Sequence, residues 1–238
     1  MAEPATLWSY LARDPLLWLT ATLVAYLAAD RIAGALRRHP LANPVLLSVI
    51  LLAALLWATG TPYRTYFEGA QFVHFMLGPA TVALALPLYE NLGRVRAALL
   101  PMAAALVAGS LTAILSALLI ARALGVEGAA LLSLAPKSAT APVALGVSEA
   151  VGGEPSLTAV LVILTGIIGA VVATPILNAL GIRDWRARGF AVGVAAHGIG
   201  TAHAFRVNPT AGAFSGIGMG LNAILTALLA PLVVRLLL

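Results

Sequence analysis

Cysteine is missing from the sequence, lysine occurs once, and only 10% of the 238 residues are charged. The first absence excludes disulfides, thiolate metal sites and cysteine nucleophiles. The scarcity of charge excludes more. A soluble domain carries about 25% charged and about 45–50% apolar residues. Here 61% are apolar, and 14 basic plus 9 acidic side chains could not cover the surface of so long a chain. A soluble enzyme, a disordered tail and a nucleic-acid partner are excluded on that ground, despite a net charge of +5. No phosphate-binding glycine loop, catalytic carboxylate pair or nucleophile elbow occurs, so the chain is not expected to be an enzyme. What is there is a chain whose solvent is mostly the bilayer, with a mean hydropathy of +0.99.

A hydrocarbon core of about 30 Å takes roughly 20 helical residues to cross. Apolar runs of that order lie near 15–36, 43–60, 70–90, 97–123, 129–151, 156–181, 189–206 and 211–235. The connectors between them are short. The sequence predicts an all-α integral membrane protein, multi-pass in the inner (plasma) membrane, with seven to eight transmembrane segments in one polytopic domain over 1–238. The first fourteen residues hold Glu3, Arg13 and Asp14 rather than the basic start of a cleavable leader, so the first run is expected to be retained as a span. The runs at 70–90, 129–151 and 189–206 are rich in Gly, Pro, Ser, Thr and His. Such residues free backbone groups that only protein, water or ligand can satisfy at membrane depth, so broken helices are expected there.

Thirteen of the fourteen basic residues are arginine, and they cluster between runs: Arg31, Arg37 and Arg38, then Arg94 and Arg96, then Arg183, Arg186 and Arg188. If run 129–151 enters and returns on one side, all three clusters fall on the cytoplasmic face, as the positive-inside rule prefers. The segment Ala80–Leu84 also resembles Ala141–Leu145, which points to repeat halves near 15–125 and 129–238. With one re-entrant segment the halves would be inverted, an arrangement transporters use around a site near the midplane.

Three segments could carry chemistry. His74, Gly78 and Thr81 are spaced to share one helical face around Pro79; the alternatives are a kinked packing stripe or half of a substrate site. Lys137 lies inside an apolar run between Pro136 and Pro142, with Ser138 and Thr140 beside it. A buried lysine costs about 2.5–3.5 kcal/mol on insertion scales. A helix starting after this turn would add its N–H groups and positive end to the ammonium, a combination suited to a carboxylate. The bland alternative is a lysine snorkelling to the membrane surface. In the third segment Gly193, His197, Gly200, Thr201 and Ala204 would share a face of a regular helix, giving His197 and Thr201 either a ligand or proton role or a packing one. His197 and His203 are six apart, the wrong spacing for a metal pair, so no metal and no cofactor are expected. Asn222 either lines the cavity or glues helices. Gly212, Gly216 and Gly220 read as helix packing.

Several of these stretches, in order, resemble the LrgB/CidB family: Leu77–Tyr89, Pro136–Pro142, Gly152–Thr158, Leu164–Ala170 and His197–Ala202. The likeness covers essentially the whole chain. It departs at Ala139, where the family usually has Val, and at His203, where Arg is common. The family includes bacterial holin-like or antiholin-like regulators of murein hydrolase activity and the plastid glycolate/glycerate transporter of plants, in which an LrgA-like half precedes this one. Related bacterial pairs are associated with pyruvate uptake. The resemblance therefore implies a transporter of small hydroxy- or keto-acids working with an LrgA-like membrane partner; a coupling proton or sodium ion and a homo-oligomer are further expectations. The rival it implies is a holin-like regulator of lysis. The substrate residues expected are Lys137, Ser138, Thr140, His197, Thr201, Gly78, Thr81 and Asn222.

Overall fold

A computed structural model describes residues 14–36, 42, 44–76, 79, 82, 89 and 92–237. The described chain is helical, and its helices start and stop where local chemistry dictates. Helix α1 (Pro15–Ala35) begins on Asp14, whose side chain accepts from the Leu16 amide at 2.9 Å, with proline in the first turn. The same device opens α10 (Pro209–Leu237), where Asn208 Oδ1 accepts from the amides of Thr210 and Ala211. At the other end, α5 (Leu99–Ala123) and α8 (Pro155–Ala179) run out into Gly125 and Gly181, both at positive φ. The amides of Val126 and Ile182 then reach back to the Ala121 and Leu177 carbonyls, each at 3.0 Å, closing both helix ends.

The residues group into two compact units, Met1–Ala83 and Leu84–Leu238. In the first, α1 packs with α2 (Pro44–Thr59) and α3 (Tyr63–Phe75). Trp18 is buried and meets the Tyr66 ring edge-on, and a Cβ added at Gly69 would overlap the Pro15 carbonyl, so α1 and α3 touch backbone to backbone there. His74 falls in α3, while Gly78 and Thr81 lie outside the described residues.

The second unit begins with a short helix α4 (Leu92–Ala97), followed by α5. The run expected to re-enter is not one helix. It is two short ones, α6 (Gly128–Leu134) and α7 (Ala141–Val151), joined by a non-helical turn over 135–140. Then come α8, α9 (Trp185–Val207) and α10. Among the described residues, α1, α5, α8 and α10 are long and apolar enough to cross a membrane. Large side chains such as Ile168, Ile224 and Leu228 stand exposed on them, as lipid-facing positions do.

The most extensive helix contact is α9 on α10, and it depends on missing side chains. A Cβ at Gly189 would overlap the Ala211 carbonyl, one at Gly193 the Ser215 carbonyl, and one at Gly212 the Phe205 ring. Gly220, by contrast, faces open space, so the glycine stripe expected along α10 is only partly the contact. The Gly189/Gly193 pair on α9 supplies the rest at the four-residue spacing of close helix pairs.

Candidate functional site

The turn at 135–140 owes its shape to its two prolines. Pro136 has no amide to continue the α6 ladder, and Pro142 sits in the first turn of α7, where no amide is needed; between them the chain leaves the helix and restarts with Thr140 extended as the N-cap. No side chain caps that start. The turn is held from two sides. Asn222 Nδ2 on α10 donates to the Ser138 carbonyl at 3.0 Å, while its Oδ1 accepts from Ser110 on α5 at 2.6 Å and from Thr226 at 3.4 Å. Asn222 is 1% exposed, and both its amide nitrogen and its oxygen are bonded to protein. On the far side, Thr158 donates to the Ser148 hydroxyl at 2.6 Å and approaches the Ser133 carbonyl at 3.1 Å, and Ser133 Oγ accepts from the Glu154 amide at 2.8 Å. These buried hydroxyls tie α6, α7 and α8 together, and no single motif in the sequence announced them.

Lys137 projects from this turn into a cavity of about 940 Å³, with its Nζ 3.4 Å from Ser138 Oγ. The cavity runs between α5 and the first half of α9. Its walls are small or apolar, among them Ala105, Gly109, Phe190, Val194 and Phe214, and at its edge stand Asp184 and Arg186. Those two form a forked ion pair, Arg186 Nη2 to Asp184 Oδ2 at 2.6 Å, and Asp184 also caps α9 through the Arg186 amide. Hydrogen bonds from Arg186 hold the Asp184 carboxyl at about 2, well below the usual carboxylate range. Arg188, read from the sequence as one of a surface cluster, is instead turned inward. Its Nη1 donates to Asn178 Oδ1 and to the Ile182 carbonyl, each at 2.8 Å, closing the C-terminal end of α8.

His197 and Thr201 lie elsewhere. Helix α9 breaks at Ala196 and His197, where His197 takes φ +39° and ψ −134°, a backbone region that ordinarily admits only glycine. The face expected from a regular helix is therefore interrupted. The His197 ring packs into a notch on α8: a Cβ at Gly166 would fall 2.7 Å from its Cε1, and one at Gly169 would overlap Ala196. His197 Nε2 sits 2.9 Å from the Val162 carbonyl, which can only accept, so that nitrogen carries the proton. Thr201 turns the other way, donating to the His197 carbonyl at 2.7 Å and meeting Ser215 Oγ on α10 at 2.9 Å. Of the expected substrate residues, Lys137 and Ser138 line the cavity together. Asn222 stands behind their turn, Thr140 begins α7, His197 lies in the break in α9, and Thr201 bonds to the His197 carbonyl one turn on. Among the described residues no group of acidic or histidine side chains could hold a metal ion.

The model of the LrgB-like family matches residues 22–236. An uncharacterized Bacillus subtilis protein, YwbG, is 37% identical over 215 residues, covering 90% of this chain and 94% of its own. An uncharacterized protein of Haemophilus influenzae is 38% identical over 194 residues, 82% of this chain and 84% of its own. The holin-like protein CidB of Staphylococcus epidermidis is 30% identical over 220 residues, 92% of this chain and 96% of its own. No solved structure matches the chain. With four apolar candidate spans and a family match along nearly its full length, this chain belongs to the LrgB-like family and is a multi-pass protein of the cell membrane.

Proposed function

We propose that the chain moves small organic acids, monocarboxylates of the glycolate, glycerate or pyruvate type, across the membrane. The carrying observation is Lys137, the one lysine of the chain, standing with Ser138 in a non-helical turn that lines a cavity, directly before an uncapped helix start. An ammonium, a hydroxyl and first-turn amides are the donors a carboxylate needs. In this reading no bond is made or broken. Seven spans with α6 and α7 as a re-entrant pair, inverted repeat halves near 15–125 and 129–238, coupling to a proton or sodium ion, and assembly as a homo-oligomer or with an LrgA-like partner complete the proposal. His197, Thr201 and Thr140 serve it as further polar groups for the substrate or its proton.

The rival is a holin-like regulator of lysis, favoured by the name of the Staphylococcus relatives. A pore needs associating helices but no lysine-centred site. Uptake of labelled glycolate and pyruvate into proteoliposomes separates the two. Saturable uptake is expected. Lys137→Met should weaken it ten- to hundredfold, the loss of one charge-assisted contact of about 1.5–3 kcal/mol. Lys137→Arg should restore it only in part, because a planar fork does not replace a point charge. Leakage of an unrelated dye without saturation, indifferent to Lys137, would favour the pore.

A further inference from the structure

The cavity is far larger than a three-carbon acid requires. Its 940 Å³ would hold on the order of thirty waters at about 30 Å³ each, the size range of sites that bury much larger ligands. Its shape follows from the helices that make it. Phe190 and Val194 of α9 pack with Met102 of α5, and a Cβ at Gly109 would sit 3.0 Å from Val194 Cγ1, so α5 and α9 run side by side in the same direction. The Asp184–Arg186 pair thus stands at the Ala98 end of α5. Lys137 stands near Ser110, to which its turn is tied through Asn222. From Ala98 to Ser110 is about 18 Å at 1.5 Å per residue. The cavity is a trough with an ammonium at its inner end, an ion pair at its outer end, and an apolar wall between.

Resting on the proposed carboxylate site, we infer that the trough takes monocarboxylates bearing an extended apolar tail, with the carboxylate at Lys137 and Ser138 and the tail laid along Ala105, Phe190 and Val194. A free methylene chain on that wall leaves water or lipid headgroup for apolar contact, whereas a hydroxy or oxo acid of three carbons leaves the wall uncovered. The test is direct binding of a 2-oxo acid series, from pyruvate through 2-oxobutyrate and 2-oxohexanoate to 2-oxooctanoate, to the full chain in nanodiscs. Each added methylene is expected to tighten binding two- to fourfold, below or near the value for full burial, so the eight-carbon acid should bind at least thirtyfold tighter than pyruvate. Lys137→Met should weaken every member, and Ala105→Phe, which narrows the trough midway, should flatten the dependence on length. Methyl esters of the same acids should not bind. Affinity that is flat or falls with length, with pyruvate still bound through Lys137, overturns the trough and leaves the carboxylate site standing. A rise with length that persists in Lys137→Met or in the esters is partition into lipid, and also overturns it. If not even pyruvate binds, the carboxylate site itself falls.

Discussion

Replacing Asn222 by alanine removes the one side chain that ties the lysine-bearing turn to α5 and α10. Three contacts go: the donation to the Ser138 carbonyl at 3.0 Å and the acceptances from Ser110 at 2.6 Å and, more weakly, from Thr226 at 3.4 Å. Polar contacts between membrane helices average about 0.6 kcal/mol and reach about 1.7. The larger effect is the Ser138 carbonyl, left without its donor in a buried site, which costs about 1–3 kcal/mol. Together these predict a destabilisation of about 2–4 kcal/mol. Ser110→Ala is the control, since it deletes the shorter bond but leaves Asn222 on Ser138, and it should cost about 0.5–1.5 kcal/mol. Reversible unfolding in mixed micelles measures both. Because the tether positions Lys137 rather than touching a ligand, Asn222→Ala should also weaken carboxylate binding, while Ser110→Ala should lower stability with little change in affinity. Equal stability for the two variants, or unchanged affinity in Asn222→Ala, would refute the tethering role.

Three further outcomes follow from the geometry. Gly193→Ala would drive a Cβ into the Ser215 carbonyl and to 2.8 Å from the Met219 amide, so it should lose about 1–3 kcal/mol of stability in the same unfolding assay. Gly220→Ala meets nothing within 4 Å and should be near neutral. At His197 the usual order of alanine over glycine should invert, with His197→Gly more stable than His197→Ala by about 1 kcal/mol, because only glycine relaxes at φ +39°; the ordinary order would mean an unbroken helix. Asp184 has its carboxyl held below its unfolded value, so its contribution is full above about pH 4 and is lost as pH falls toward 2. Protection of the amides at the start of α9, taken relative to their intrinsic exchange rate at each pH, should fall over that window, and Asp184→Asn, which keeps the cap acceptor, should abolish that fall.

Much of this architecture was legible because the bilayer enforces it. The long runs at 97–123, 156–181 and 211–235 became α5, α8 and α10 within two residues at each end, since apolar length and, for α8 and α10, a polar residue followed by proline leave little choice. The break in 129–151 was readable from Pro136 and Pro142 for the same reason. The break in 189–206 was readable from its glycines, yet its location was not: the strained residue is His197, not one of the glycines beside it. That choice is made by tertiary packing, because Gly166 and Gly169 on α8 open the notch that receives the joint. Spacing of i and i+4 within α9 therefore misled about which way His197 faces. Likewise Asn222 is a single polar residue in an apolar helix, and nothing in its neighbourhood could show that its partners lie 84 and 112 positions away.

The arrangement also suggests why the polar groups are divided as they are. The buried hydroxyls and amides of the second unit find protein partners, and among the described residues no buried side-chain nitrogen or oxygen is left without one. Lys137 is different in kind. Its amine has a single long contact, 3.4 Å to a neighbouring hydroxyl, and no carboxylate among the described residues forms an ion pair with it. A half-buried cation without a fixed counter-charge is costly, and an anion beside it would lower that cost. Neutral groups instead hold the turn and the helix before it, Asn222 at the Ser138 carbonyl and Thr158 and the Glu154 amide at Ser133 of α6, while the charge itself has no such partner. In the proposed carrier reading, an uncommitted charge would favour the anion-bound state, the property a carrier needs and a passive pore does not.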